Sequence, residues 1–192
     1  MDVPKLGNQV PQKNNPVTKA IGKLVFLVTG WRIEGELPNI PKFVALGGPH
    51  TSNWDFIYAM SFIFVVGLKA YWMGKHTLFK WPYGIVMRAL GGIPIDRHAP
   101  HGVVAQMVDE FKQRDKLAIL VPPEGTRKKV KKWKTGFYFI AKGADVPILP
   151  AYLDYERKMV GFGDPIIPGD NVEADIAKIQ SFYKNIPGKY PQ

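Results

Sequence analysis

The chain contains no cysteine, which removes thiolate nucleophiles, thiolate metal ligands and disulfides from consideration. Histidine is also scarce: four are scattered along the sequence, none in HxxxH spacing, so no zinc site and no bound cofactor are expected. There is no long hydrophobic run. The longest nearly uncharged apolar stretch, residues 56–68, ends at Lys69 after 13 residues, short of the roughly 20 that a spanning helix needs. The first residues, MDVPKLGNQVPQKNN, have no apolar core followed by a small-residue cleavage site, so no signal peptide is expected and the cytoplasm is the anticipated compartment. Repeats, low-complexity tracts and composition shifts that would mark a linker are missing as well.

What is present suits a folded domain. With 192 residues, 46% hydrophobic and 22% charged, the chain is long enough to bury a substantial core. Lysine and arginine outnumber aspartate and glutamate by 26 to 16, which favours polyanionic partners: phosphorylated substrates, nucleic acid or an anionic membrane face. The sequence divides into a polar N-terminus with an amphipathic helix, residues 1–30, and a domain over residues 31–192.

Between residues 17 and 31, the apolar positions Val17, Ala20, Ile21, Leu24, Val28 and Trp31 fall at helical steps, with Lys19 and Lys23 elsewhere on the turn. The stripe fits a helix packed on the core or a basic interfacial helix resting on anionic lipid. Further on, 43–48, 69–74, 91–97, 117–121 and 146–155 have strand composition. They alternate with helical patterns at 55–66, 82–90, 102–112 and 136–142, and a last helix runs over 172–186. Such alternation predicts an α/β fold, a mixed and largely parallel sheet flanked by helices.

Residues 49–55, PHTSNWD, hold a histidine and an aspartate five positions apart. Ser52 and Asp55 have the spacing of a capping box, with aspartate in place of the usual glutamate. That reading gives no reason for His50, which follows a strand end, where α/β folds place their ligands. Asp55, in the first turn of the helix, is within reach of one imidazole nitrogen, leaving the other to accept a proton. The strands 91–97 and 117–121 end at the same side, bringing Asp96, Arg97 and the turn PPEGTR (122–127) near His50. Arginine facing a pocket clamps phosphate bidentately, whereas on a surface it forms an ion pair. Gly125 permits a tight turn with exposed amides, Thr126 adds a hydroxyl and Arg127 a guanidinium.

Together these segments resemble the glycerolipid acyltransferase family, in which 1-acyl-glycerol-3-phosphate is acylated to phosphatidic acid. The four ordered blocks of that family match His50 to Asp55 (H-x4-D), GGIPIDR, PEGTR and VPILP, and Lys75-His76-Thr77-Leu78 is similar to its K-x-x-L element. The resemblance covers about residues 30–155. Three prolines depart from it: Pro49 where asparagine is common, Pro94 in the second block, and Pro122 before PEGTR.

The resemblance implies a glycerol-3-phosphate acyltransferase-like fold and an O-acyltransferase of phospholipid synthesis. Its donor would be an acyl-CoA or acyl carrier protein thioester, and its acceptor a lysophosphatidic-acid-like lysophospholipid. Another lysophospholipid, or a lipid-like alcohol or amine, is the alternative acceptor; a non-catalytic anionic-lipid-binding module is the alternative function. His50 would be the general base and Asp55 its orienting partner. Lys75 and Arg97 would hold the acceptor phosphate, with Glu124, Gly125, Thr126 and Arg127 completing that site. Lacking a thiol or a Ser-x-x-Lys nucleophile, the chain is expected to transfer the acyl group directly, with Thr51 and Ser52 the nearest hydroxyls that would allow an acyl-enzyme instead. The segment 56–68 and Trp72 are candidates for an acyl groove. Many members carry a hydrophobic N-terminal anchor; without one, peripheral attachment to the cytoplasmic membrane is expected. The run RKKVKKWK (127–134) puts six basic residues and Trp133 in eight positions, suited to anionic head groups with the tryptophan at the interface. No nucleic-acid module surrounds it, so nucleic acid is not an expected partner.

Overall fold

Asn15 and Pro16 start the first helix. The Asn15 side chain accepts hydrogen bonds from the backbone N–H groups of Val17 and Thr18, and Pro16 takes the first turn, where its missing N–H costs nothing. Helix α1, Pro16–Thr29, ends where Gly30 turns left-handed at a φ of 76° and returns its N–H to Phe26. The computed structural model describes residues 2–95, 102–127, 130 and 133–190.

The strands β1 (Arg32–Ile33), β2 (Lys42–Gly48), β3 (Ala70–Lys75), β4 (Gly92–Ile95), β5 (Leu117–Val121), β6 (Ile148–Asp154) and β7 (Met159–Phe162) form one sheet in the order β1-β7-β6-β2-β5-β3-β4. Every neighbouring pair is parallel except β6 and β7. The connecting helices are α2 (Trp54–Val66), α3 (Tyr83–Ala89), α4 (Gly102–Lys112), α5 (Gly136–Ala144) and α6 (Val172–Tyr183), with a 3-10 helix at His76–Phe79. This is the expected α/β architecture. Strands β1 and β7 and the 3-10 helix add to the elements expected from sequence.

Two cores sandwich the sheet. On one face Val44, Leu46 and Ile119 meet Phe111 of α4, Tyr138 of α5 and Ile179 of α6. On the other, Phe43, Ala45 and Leu149 meet Phe26 of α1 and Tyr58 and Phe62 of α2. Alternation along β2 thus feeds both layers, which is why the strand reads as a continuous apolar run. Because β2 to β6 run parallel, their C-terminal ends share one edge, where Lys75 ends β3 and His50, Glu124 and Tyr155 follow the ends of β2, β5 and β6.

Helix α1 packs through a stripe other than the one its apolar spacing suggests. Its buried residues are Gly22 and Phe26. A Cβ on Gly22 would sit 2.6 Å from the Ser61 carbonyl oxygen, so glycine is what lets α1 lie against α2. Val17, Ile21, Leu24 and Val28 are exposed, joined by Leu27 at 79%. Trp31 does not extend the stripe: it lies past the helix end and is buried.

Candidate active site

Strand β2 delivers the chain into the turn 49–53, entered through a cis peptide bond between Gly48 and Pro49, and α2 begins immediately after it. His50 Nδ1 lies 3.0 Å from Asp55 Oδ2. The same oxygen accepts the backbone N–H of Thr51 and of Ser52, each at 2.8 Å, and Ser52 Oγ accepts the N–H of Trp54. The carboxylate thus closes the turn and at the same time holds the imidazole, although α2 starts after Asn53 and the Ser52 hydroxyl meets Trp54 rather than Asp55. With Nδ1 on the carboxylate, the neutral ring carries its proton there and Nε2 is its basic nitrogen.

Asp55 is 5% exposed, and burial by itself pushes its pKa up. Hydrogen bonds from His50, from the Tyr155 hydroxyl and from the Ser52 and Thr51 amides outweigh burial and hold the carboxyl below its usual range, so it is ionised at neutral pH. Tyr155 donates to Asp55 Oδ1 at 2.6 Å. This contact spans 100 residues of sequence, and no local pattern signals it.

Glu124, in the turn after β5, is nearly fully buried, and its Oε1 accepts the backbone N–H of His50 at 3.1 Å. Burial pushes its pKa up, and among the described residues Oε2 has no hydrogen-bond partner. Its observed contact is thus with the main chain that carries His50. Gly125 adopts a φ of 64° and donates its N–H to Pro122, which closes the turn. Thr126 is half-buried, while Arg127 is exposed and its Nη1 donates to Asn53 Oδ1 at the start of α2. Lys75 ends β3, exposed and in register with Ile95 of β4. Asp96 and Arg97 lie outside the described residues, as do Lys128, Lys129, Lys131 and Lys132. Trp133, read from sequence as interfacial, is half-buried and packs edge-on against Tyr183, with ring centroids 5.5 Å apart. Its partner is the core.

His50 and Asp55 border a cavity of about 790 Å³ between α2 and the sheet, within the range of about 300–1,000 Å³ usual for ligand sites. Phe56, Met60 and Ile63 wall it from α2, and Trp72 and Leu120 from the sheet. The segment 56–68 and Trp72 do line an apolar space next to the histidine. Such a site can take a hydrocarbon chain with its end beside a half-buried imidazole.

A family model described as Acyltransferase matches residues 37–154, which include the 49–55 turn and the turn after β5. No curated protein matches the sequence. Among solved structures, the fold is similar to the crystal structure of the 1-acyl-sn-glycerophosphate (LPA) acyltransferase PlsC from Thermotoga maritima. The match has a TM-score of 0.66 at 17% identity and covers 92% of this chain and 80% of that one.

Proposed function

The chain belongs to the acyltransferase family, and on that premise we propose that it transfers a fatty acyl group from a thioester donor to the hydroxyl of a lysophosphatidic-acid-like acceptor. The observation that carries this reading is the 3.0 Å contact between His50 and Asp55 at the border of the apolar cavity. The acyl chain lies in the cavity with its thioester carbonyl near His50. The acceptor hydroxyl gives its proton to Nε2 as its oxygen attacks that carbonyl, and the Asp55 carboxylate stabilises the imidazolium. The tetrahedral intermediate then expels the thiolate, which takes the proton back from the imidazolium.

Direct transfer is supported by where the nearby hydroxyls face. Thr51 and Ser52 are both buried, Thr51 Oγ1 accepting the N–H of Tyr190 and Ser52 Oγ that of Trp54. The oxyanion needs its own donors. The amides of Thr51 and Ser52 are committed to Asp55, and that of Gly125 to Pro122, so these three do not supply them. Lys75, Arg97, Glu124, Gly125, Thr126 and Arg127 remain the proposed acceptor site, with the arginines and Lys75 as its phosphate-binding charges.

A product screen tests the reading. Lysophosphatidic acid, lysophospholipids with larger head groups and a phosphate-free monoacylglycerol would be crossed with acyl-CoA and acyl carrier protein thioesters, with products identified by mass spectrometry. Phosphatidic acid is the expected product. Acylation of the phosphate-free acceptor alone would exclude the phosphate-binding role, and no product from any pairing would exclude the transferase.

Peripheral membrane attachment belongs to the same proposal. No helix among the described residues is long and apolar enough to cross a membrane. Helix α1 nonetheless exposes Leu24, Leu27 and Val28, with Lys23 beside them, and the loop into α3 exposes Trp81 at 84% and Tyr83 at 73%. Apolar residues rimmed by lysine suit the boundary of an anionic leaflet. The double variant Leu27→Ser with Val28→Ser should keep its melting temperature and lose about a hundredfold to ten-thousandfold in vesicle affinity, at about 1.5–3 kcal/mol for each of the two apolar side chains no longer buried in lipid. Sedimentation with anionic vesicles measures it. Unchanged binding would move the attachment to the basic run at 127–134.

A further inference from the structure

Tyr155 directly follows β6, on the far side of Asp55 from His50. Its ring meets Trp31 edge-on with centroids 5.1 Å apart and Tyr58 at 5.8 Å, while Trp31 stacks on Tyr58 at 4.3 Å. The Tyr155 backbone N–H donates to the Pro187 carbonyl at 3.2 Å. A tyrosine side chain has two χ angles, and here aromatic neighbours bound the ring that those angles orient. Its hydroxyl therefore reaches Asp55 Oδ1 from a prearranged position.

Among the described residues, the Asp55 carboxylate receives four donors. Oδ2 takes His50 Nδ1 and the amides of Thr51 and Ser52, and Oδ1 takes the Tyr155 hydroxyl. Three of them belong to one short turn that runs directly into α2. Tyr155 alone comes from another part of the chain and ties the carboxylate to the sheet. We infer that Tyr155 is a positioning residue for the dyad: it holds Asp55 so that Oδ2 faces His50 Nδ1. Trp31 supports the tyrosine ring, which links the end of α1 to the catalytic turn. The inference rests on the reading of His50 as general base.

The ionisable groups around this carboxylate and its tyrosine are His50 on the turn, Glu124 after β5, Tyr58 on α2 and Tyr190 near the C-terminus. The Tyr155 hydroxyl is one of the hydrogen bonds that lower the Asp55 pKa, and burial together with the Asp55 charge pushes the phenol's own pKa well up. The phenol thus stays a donor across the working range. Without it the folded-state Asp55 pKa rises toward its unfolded value, so the fall in stability on the acid side, where Asp55 takes up its proton, becomes shallower.

Tyr155→Phe keeps the ring and deletes the hydroxyl. Its kcat should fall about tenfold to a hundredfold, the scale of one hydrogen bond to a charged group, with KM for donor and acceptor essentially unchanged and the acid-side fall in stability made shallower. Trp31→Phe loosens the packing but spares the hydroxyl, so it should lower the melting temperature and leave the pH dependence of stability as in the wild type. A folded Tyr155→Phe with unaltered kcat and unaltered pH dependence of stability would overturn the inference. So would a loss of kcat without change in the acid-side fall in stability and matched by Trp31→Phe, which would reduce Tyr155 to packing. His50→Ala is the reference: an active His50→Ala removes the functional reading and this inference with it, whereas an inactive His50→Ala beside an unaffected Tyr155→Phe removes the inference alone.

Discussion

Replacing His50 with alanine is expected to lower kcat by about a hundredfold to ten-thousandfold while leaving the melting temperature nearly unchanged. The fold should tolerate the change because a main-chain tie survives it: the His50 N–H donates to Glu124 Oε1, and alanine keeps that N–H. The ring itself is half-buried, so truncation removes modest packing. Asp55 retains the Thr51 and Ser52 amides and the Tyr155 hydroxyl, so its charge is not stranded. What the proposed mechanism loses is its base. Single-turnover kinetics with a saturating thioester, alongside a thermal melt, measure both quantities. Turnover near normal would take His50 out of the mechanism. His50→Gln refines the test, since its amide can still donate to Asp55 but cannot act as a base, and it should be as inactive as alanine.

How much of this site the sequence discloses depends on how local each contact is. The His50–Asp55 pair was legible because its members are five residues apart at a strand-to-helix junction, so one turn decides their distance. The parallel sheet was legible because β2 and β5 are apolar runs bounded by glycine, proline or charge. Strands β1 and β7, two and four residues long, are too short for periodicity to register. Trp31 continues the three-and-four spacing of α1 by coincidence, since Gly30 ends the helix one residue earlier. The apolar stripe of α1 misleads for a related reason: close approach to α2 depends on the missing side chain of Gly22, and hydrophobicity does not measure that. Tyr155 was hidden because its partner lies 100 residues away and only the sheet order brings them together.

Asp55→Asn should cost about a thousandfold in kcat, and the geometry of the turn explains why that figure isolates charge. Two backbone N–H groups, from Thr51 and Ser52, point at Oδ2. Asparagine must therefore place its carbonyl oxygen there and its NH2 toward Tyr155, whose hydroxyl can rotate to accept. The oxygen still accepts from His50 Nδ1, so the tautomer survives, as does most of the cap. The negative charge beside the developing imidazolium does not survive. Two unit charges about 4 Å apart interact with about 4 kcal/mol at an effective dielectric of about 20, which corresponds to about a thousandfold in rate. Since the folded-state pKa of Asp55 is lowered, the wild-type carboxylate stabilises the fold above the unfolded carboxyl pKa, and that contribution fades as pH falls through the lower folded value. Asp55→Asn should flatten this acid-side loss of stability while activity remains low at every pH. A kcat within tenfold of wild type would make tautomer selection the main work of Asp55, and a melting temperature that falls in proportion to activity would make it a helix cap first.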